Sequence, residues 1–531
     1  MEGLRTAESP LTKRFVAKRM TSAKRMPGAK RMTSAKRMTS ANHMTTKRMP
    51  GSKHMTTKRM PGAKRIRTSF GTKRPASSIL NGPTTRGKSK IYNTASKKIT
   101  QFFKQTQHTR KARYLRTVNR ALCADAGLCL AIGTLADVIK QHFHGFTPFD
   151  YVVPNITRIG AESANGFINQ INYAHRDYKA CALLKSSKTE DSDNLLYEYV
   201  VGQYINRLNK QFPCFLETYG YYIYNNEDTW LQMQSEPVIS DVSILKGLTL
   251  QKNIDYNDAC RESKKLCILI QYFQGIQSLQ KMSLDPMFIQ TELMGALFQL
   301  YAPLARLKNS FTHYDLHLEN VYLYKPKEGR YIHYHYYVSH TRAISFKSSY
   351  MVKIIDYGRS FFKDDRTGIN SKEIYDDELC KYATECNEPE EVTGECGRKV
   401  GFGWLKKLSA NPTKEFFISA QKRNMSHDLL PLTRIAENHT RVNNLTPELN
   451  ALLRKVVYTG YYGTGEINDS GYPDAIYNVE DAMHCIMDYM LRKKFMDMNE
   501  MAYAGKEKLG DLHVYTDGRP MEFVPALSSE A

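Results

Sequence analysis

Methionine recurs at positions 20, 26, 32, 38, 44, 49, 55 and 60, mostly behind a Lys-Arg pair, in a run that reads AKRM-TSAKRM-PGAKRM with units of six residues and occasional fives. A period of five to six matches neither a helix face nor a strand alternation. Pro, Gly, Ser and Thr punctuate the units, and the charges repel one another. Such a segment buries too little apolar surface to offset the entropy of ordering it, so residues 1–110 are expected to be a disordered arm. Any fold has to be built from the residues C-terminal to it.

The charge divides the chain at the same place. Residues 1–120 hold 32 lysines and arginines against two acids, Glu2 and Glu8, a charge of +30; the other 44 basic and 51 acidic residues leave residues 121–531 at −7. A uniformly basic globule is excluded. The most apolar stretch, Ala121 to Ile139, contains Asp125 and Asp137, so a membrane span is not expected. MEGLRTAESP has no apolar core of a secretory leader. The ten cysteines are scattered and lack a CxxC pair, which fits free thiols in a reducing, intracellular compartment; Cys380, Cys386 and Cys396 are the closest group and a weak candidate for zinc.

Lys-Arg pairs on a flexible chain suit a polyanion, because each neutralised phosphate releases counterions without demanding fixed geometry. The arm, residues 13–113, is therefore expected to contact DNA, RNA or an import receptor, which makes a host nucleus or a virion the places to look for it. Thr21, Thr33 and Thr39 each follow an Arg by two residues and a Lys by three, the pattern of acceptors for a basic-directed kinase. Pro75, Gly82, Pro83 and Gly87 extend the irregular stretch, and Leu128, Leu130, Ile132, Leu135 and Ile139 then predict a helix.

The most informative residues lie far downstream. FTHYDLHLENVYLY, residues 311–324, carries His313, Asp315 and Asn320 in the order H-x-D-L-x-x-x-N ahead of a strand-like alternation. MVKIIDYGRSFF, residues 351–362, is an apolar strand that ends on Asp356-Tyr357-Gly358. One carboxylate placed to take a hydroxyl proton, with an Asn and a second carboxylate holding Mg²⁺ against phosphates at rigid strand ends, would account for both.

These two stretches resemble the catalytic loop and the D-F-G element of the protein-kinase superfamily, with Tyr in place of Phe, and look most like the divergent serine/threonine kinases of large DNA viruses. The resemblance implies ATP and Mg²⁺ as cofactors, Asp315 as the base, and Asn320 and Asp356 as metal ligands. It also implies a phosphate-covering loop, which Ile159 to Ile168 resembles through Gly160, Ser163 and Gly166, although Ser163 stands where the middle Gly would be. Ala180-Cys181-Ala182-Leu183-Leu184-Lys185 is similar to V-A-I-K and makes Lys185 the candidate for the α/β-phosphates, with Lys179 and Lys188 as competitors. Glu198, on a helix capped by Asp191 or Ser192 with Leu195, Leu196, Tyr199 and Ile205 inward, is the expected partner of Lys185. Phe215–Tyr221 and Leu266–Tyr272 read as strands, the second leading into a hinge near Gln271 and Phe273.

Leu293, Leu297, Leu300, Leu304 and Leu307 follow helical spacing and predict a buried helix, kinked or unwound at Pro303. Asp428 is a candidate for the buried carboxylate that braces the catalytic loop. Helices are expected over residues 445–505, then a short strand and turn at HVYTDGRPMEF. No A-P-E triplet follows Asp356. His317 stands where serine/threonine kinases usually have Lys, and small-molecule phosphotransferases of the superfamily share the D-L-H sequence; an imidazole there can still donate to a phosphoryl oxygen.

The expected architecture is α+β: a bilobal protein-kinase-like fold with a small β-rich N-lobe over residues 156–275 and a larger α-rich C-lobe over 276–531. A helical lead-in, 111–155, and the disordered basic repeat arm, 1–110, precede it, and segments are inserted near 227–260 and 325–350. The expected function is ATP- and Mg²⁺-dependent phosphoryl transfer to Ser/Thr hydroxyls of proteins, carried by Asp315, His317, Lys185 and Glu198. A small-molecule phosphotransferase and a nucleic-acid-binding virion protein with a kinase-like scaffold stand as alternatives.

Overall fold

In the computed structural model of the chain, the described residues are 132–526 without 134, 161–165, 177, 189–194, 257–264, 375–422, 441–444 and 458–472. The basic repeats, Ser163, the residues expected to cap the Glu198 helix, and Cys380, Cys386 and Cys396 lie outside them.

A short helix, α1 (Leu135–His142), comes first. Strands β1 (Ile156–Ile159), β2 (Gly166–His175) and β3 (Tyr178–Ser187) then form an antiparallel meander. Helix α2 (Leu195–Leu208) follows, then β4 (Thr218–Tyr224), helix α3 (Glu227–Ser235) and the short strands β5 (Val238–Ile239) and β6 (Leu248–Leu250), before β7 (Leu266–Tyr272). The strands make one curled, wholly antiparallel sheet in the order β5-β1-β2-β3-β7-β4-β6. The 227–260 insertion therefore supplies both sheet edges.

Strand alternation sets the faces of this sheet. Ala180, Ala182 and Leu184 of β3 pack with Ile139, Phe143 and Phe146, which puts the segment expected as a separate lead-in inside the core of this first lobe. On the opposite side Leu195 and Leu196 of α2 meet Tyr221, Leu266 and Ile268. Gly166 lets β2 approach β3: a Cβ there would lie 2.5 Å from the carbonyl oxygen of Ser186.

Among its described residues, the second lobe holds more strand than its sequence implied. Strand β8 (Gln277–Ser278) leads to helix α4 (Leu293–Arg306), whose leucines are buried and which runs on through Pro303 without unwinding. After β9 (Phe311–Thr312) and β10 (Val321–Tyr324) the chain makes a hairpin of β11 (Arg330–Tyr337) and β12 (Ala343–Ser348), then β13 (Met351–Ile354) and β14 (Phe361–Phe362). Helices α5 (Leu430–Thr440), α6 (Pro447–Leu453), α7 (Val479–Leu491) and α8 (Lys493–Ala502) complete the helical core. The region expected as a short strand and turn is a strand of nine residues, β15 (Glu507–Tyr515), followed by β16 (Glu522–Pro525). β15 lies parallel to β11, giving a mixed sheet in the order β12-β11-β15-β16. Buried Glu292 ties this sheet to the helices, accepting from Ser348 Oγ at 2.7 Å, from the Ser349 amide and from the Tyr503 hydroxyl.

The lobes meet at β13. The Ile354 amide donates to the Cys214 carbonyl at 2.8 Å, and Phe215 forms a parallel bridge with Ile354. That bridge is why β4 begins at Thr218 rather than Phe215.

Candidate active site

β3 directs Lys185 away from the α1 side and toward α2. Its Nζ lies 2.7 Å from Glu198 Oε2 and 3.2 Å from Asp356 Oδ1, and its side chain is 12% exposed. Three sequence-nominated residues from β3, α2 and the end of β13 thus share one ion-paired cluster. Asp356 has a φ of +66°, a backbone conformation that costs a side-chain-bearing residue energy and turns its carboxylate off the strand. The enclosing protein pushes the carboxyl up, but Lys185 and Arg359 together outweigh that and bring it down to about 2, so it is ionised across the physiological range.

Tyr357, replacing the usual Phe, is buried beside Phe311 and His313. Its hydroxyl donates to the Ile354 carbonyl at 2.9 Å and accepts from the Leu216 amide at 3.3 Å, so the extra oxygen is satisfied and pins the segment against the first lobe. Tyr197, the neighbour of Glu198, donates to the carbonyl of Ser360 at 2.6 Å, and Arg207 pairs with Asp364. Helix α2 therefore holds Lys185 through one residue and the stretch after Asp356 through two others.

Between β9 and β10 the loop is shaped by its own amides. The Asp315 amide donates to the His313 carbonyl and the His317 amide to the Asp315 carbonyl, with Tyr314 at a φ of +63°. Asp428 braces it from below: its carboxylate accepts from the amides of His313 at 2.7 Å and Tyr314 at 3.0 Å. Burial raises this carboxyl to about 7 while the two amide donors pull the other way. His313 is fully buried, its Nε2 at 2.9 Å from the Ile355 carbonyl, and burial lowers its pKa; it is a neutral strut between loop and strand.

Asn320 donates Nδ2 to the Asp315 carbonyl at 2.9 Å, which leaves its amide oxygen as the acceptor end. The Asp315 carboxylate faces Arg359, with 3.5 Å between Oδ1 and the guanidinium, and His317 Nε2 at 3.9 Å. The amide of Glu319 donates to His317 Nδ1 at 3.2 Å, so the ring proton of the neutral tautomer sits on Nε2, on the Asp315 side. Two hard oxygen donors, the Asn320 amide oxygen and the Asp356 carboxylate, are the donor set that suits Mg²⁺ rather than a softer metal.

Of the glycine-loop residues, Gly160 closes β1 at a φ of +81° with open space around it, and Gly166 opens β2. Lys179 is exposed at the far end of β3, remote in register from Lys185. Arg359 was not singled out by sequence; its position three residues after Asp356 was the available signal. The hydroxyl of Tyr357 as a tether was likewise unread.

No family model matches the chain, and no curated protein matches it. Among solved structures, the crystal structure of a kinase domain is similar at 14% sequence identity and a TM-score of 0.23, over 41% of this chain and 53% of that one. The chain thus spans about half the length of that neighbour. By its fold it is a mixed helix-and-strand protein with a curled antiparallel sheet.

Proposed function

We propose that the cleft between the two lobes transfers the γ-phosphoryl group of ATP, with Mg²⁺, to a hydroxyl group, and that the acceptor is a Ser or Thr of a protein. The observation that carries this reading is Lys185 held jointly by Glu198 and Asp356, with Arg359, three residues after Asp356, facing the Asp315 carboxylate. A lysine fixed by two carboxylates is a preset cation for phosphate oxygens, and Gly160 and Gly166 flank the stretch that would cover them. Asp315 takes the proton of the acceptor hydroxyl as its oxygen bonds to phosphorus and the bond to the β–γ bridging oxygen breaks, releasing ADP. Asn320 and Asp356 would hold Mg²⁺, which supplies charge neutralisation at the phosphates.

His317 supports a second reading. With Nδ1 engaged by the Glu319 amide, its ring offers a neutral N–H where a lysine would offer a cation. Arg359, close to Asp315, supplies a positive charge in that neighbourhood instead. This arrangement is compatible with a small hydroxylated metabolite as acceptor. Transfer of γ-labelled phosphate from ATP to a panel of basic and acidic proteins, run beside a panel of hydroxylated small molecules, separates the two. Label on Ser or Thr that disappears in Asp356→Ala supports the protein-kinase reading; label confined to metabolites replaces it; retention of full transfer by Asp356→Ala overturns both.

A further inference from the structure

The mixed sheet of the second lobe carries a ladder of imidazoles that includes none of the candidate active-site residues. β11 reads Ile332-His333-Tyr334-His335-Tyr336: Ile332, Tyr334 and Tyr336 are buried in the core, and His333 and His335 alternate to the other face. The parallel neighbour β15 repeats the arrangement with Asp511 and His513. Register sets His333 beside Asp511 and His335 beside His513. Two D/H-x-H strands in register place several potential metal ligands on one half-buried face.

The donor atoms converge. His333 Nδ1 is 3.4 Å and His335 Nε2 3.1 Å from the same oxygen, Asp511 Oδ1, and the three ligand atoms all lie within 4.8 Å of one another. Ligands at about 2.0–2.1 Å from a tetrahedral Zn²⁺ stand about 3.3 Å apart, so two of the three edges are already near metal-bound length. The surroundings fit as well. Ser345 Oγ lies 2.8 Å from His335 Nδ1, the kind of outer partner that fixes the tautomer of a ligating imidazole. Lys508 occupies Asp511 Oδ2 at 2.9 Å, which leaves Oδ1 turned to the histidines. Lys347, opposite His333 on β12, has its charge taken by Glu500. His513 stacks on His335 at 4.7 Å between ring centres but has its Nδ1 on the Tyr337 hydroxyl, outside the donor triangle.

We propose that His333, His335 and Asp511 form a binding site for Zn²⁺ or a similar transition-metal ion, with water in the fourth position, and that the ion clamps β15 onto β11. Two imidazoles and a carboxylate suit such a metal better than Mg²⁺, which separates this site from the pair of oxygen donors in the cleft.

The test is a Zn²⁺ titration of the full chain against a chromophoric chelator, with Co²⁺ as spectroscopic probe, comparing wild type, His333→Ala/His335→Ala and Asp511→Asn. A Cys380→Ser/Cys386→Ser/Cys396→Ser variant controls for thiolate sites. Expected are one histidine-dependent Zn²⁺ per chain, visible Co²⁺ bands that survive the cysteine variant, and a loss of affinity on the order of 100-fold in either site variant, since even outer partners of metal ligands cost 10–100-fold. Zn²⁺ should also raise the Tm of wild type and not of the variants. Asp511→Asn keeps the shape of the side chain, so the test survives if the double variant folds poorly. Equal affinity and stoichiometry in wild type and Asp511→Asn, a Co²⁺ signal that vanishes only with the cysteines, or no binding at all would overturn the proposal.

Discussion

Two strands, one in each lobe, each carry a largely buried lysine. Lys185 on β3 has two carboxylates for company, Glu198 and Asp356. Lys353 on β13, only 4% exposed, has the Pro213 carbonyl as hydrogen-bond acceptor and the Phe273 ring at 5.1 Å. Burial drives the Lys353 ammonium down to about 7. An isolated buried charge costs several kcal/mol and neutralises instead; a paired one survives. The lesson is that a lysine beside apolar residues on a strand is not in itself a candidate phosphate ligand. What distinguishes the two is the carboxylates that fold back to one of them, from 13 and 171 residues away in the chain.

The sharpest challenge to that distinction leaves both lysines intact. On the proposed function, Asp315→Asn should lower kcat for phosphoryl transfer on the order of 10³-fold with ATP affinity little changed, because it would remove only the base; unchanged kcat would take Asp315 out of the proposed chemistry. Next, Lys185→Met should cost about 100-fold in kcat/KM, whereas Lys353→Met should stay within a few-fold of wild type. Equal losses in steady-state assays would erase the contrast. Asp428→Asn puts an amide donor against one of the two loop amides and should destabilise the fold by about 1–3 kcal/mol, read by urea unfolding, while leaving the Lys185 cluster in place.

The smallest effect is on pH. Lys353 titrates at about 7 when folded and near 10.5 when unfolded. Between those values the unfolded chain holds a proton that the folded chain has lost, so stability rises with pH through this window, by about 1.4 kcal/mol per unit at most. Unfolding midpoints at pH 6.5 and 8.5 should show that rise in wild type and a flatter dependence in Lys353→Met. Asp356 has the same sign in a lower window: its folded carboxyl lies at about 2, so its contribution is present above the ordinary carboxylate range and is lost only as pH falls toward 2.

The parts legible in the sequence were those encoded locally. The seven-residue apolar run of β7 and the leucine spacing of α4 gave both elements almost to the residue. Asp315 and Asn320 stood out through the H-x-D-L-x-x-x-N order ahead of a strand, and Asp356 because it ends an apolar one, where side chains have little packing reason to be polar. Other features depended on pairing across the chain. β11 alternates histidine with tyrosine and carries no aliphatic signature beyond Ile332, so its core face is aromatic and its partner cannot be read from pattern. The edge strands β5 and β6, of two and three residues, are too short to show a period. Arg359 looked like any surface arginine until the fold set it against Asp315.

The parallel pairing of β15 with β11 also constrains biosynthesis. Tyr337 and His513, which hydrogen-bond across that pair, are 176 residues apart. At a synthesis rate of roughly 5–20 residues per second, β11 waits on the order of ten seconds or more for its central neighbour to leave the ribosome. Until then the hairpin exposes an unpaired edge rich in aromatic side chains, the kind of surface that chaperones cover and that aggregates if left bare. The first lobe, whose strands pair within little more than a hundred residues, faces no such delay. The nascent chain is thus expected to complete its first lobe well before the second lobe is sealed.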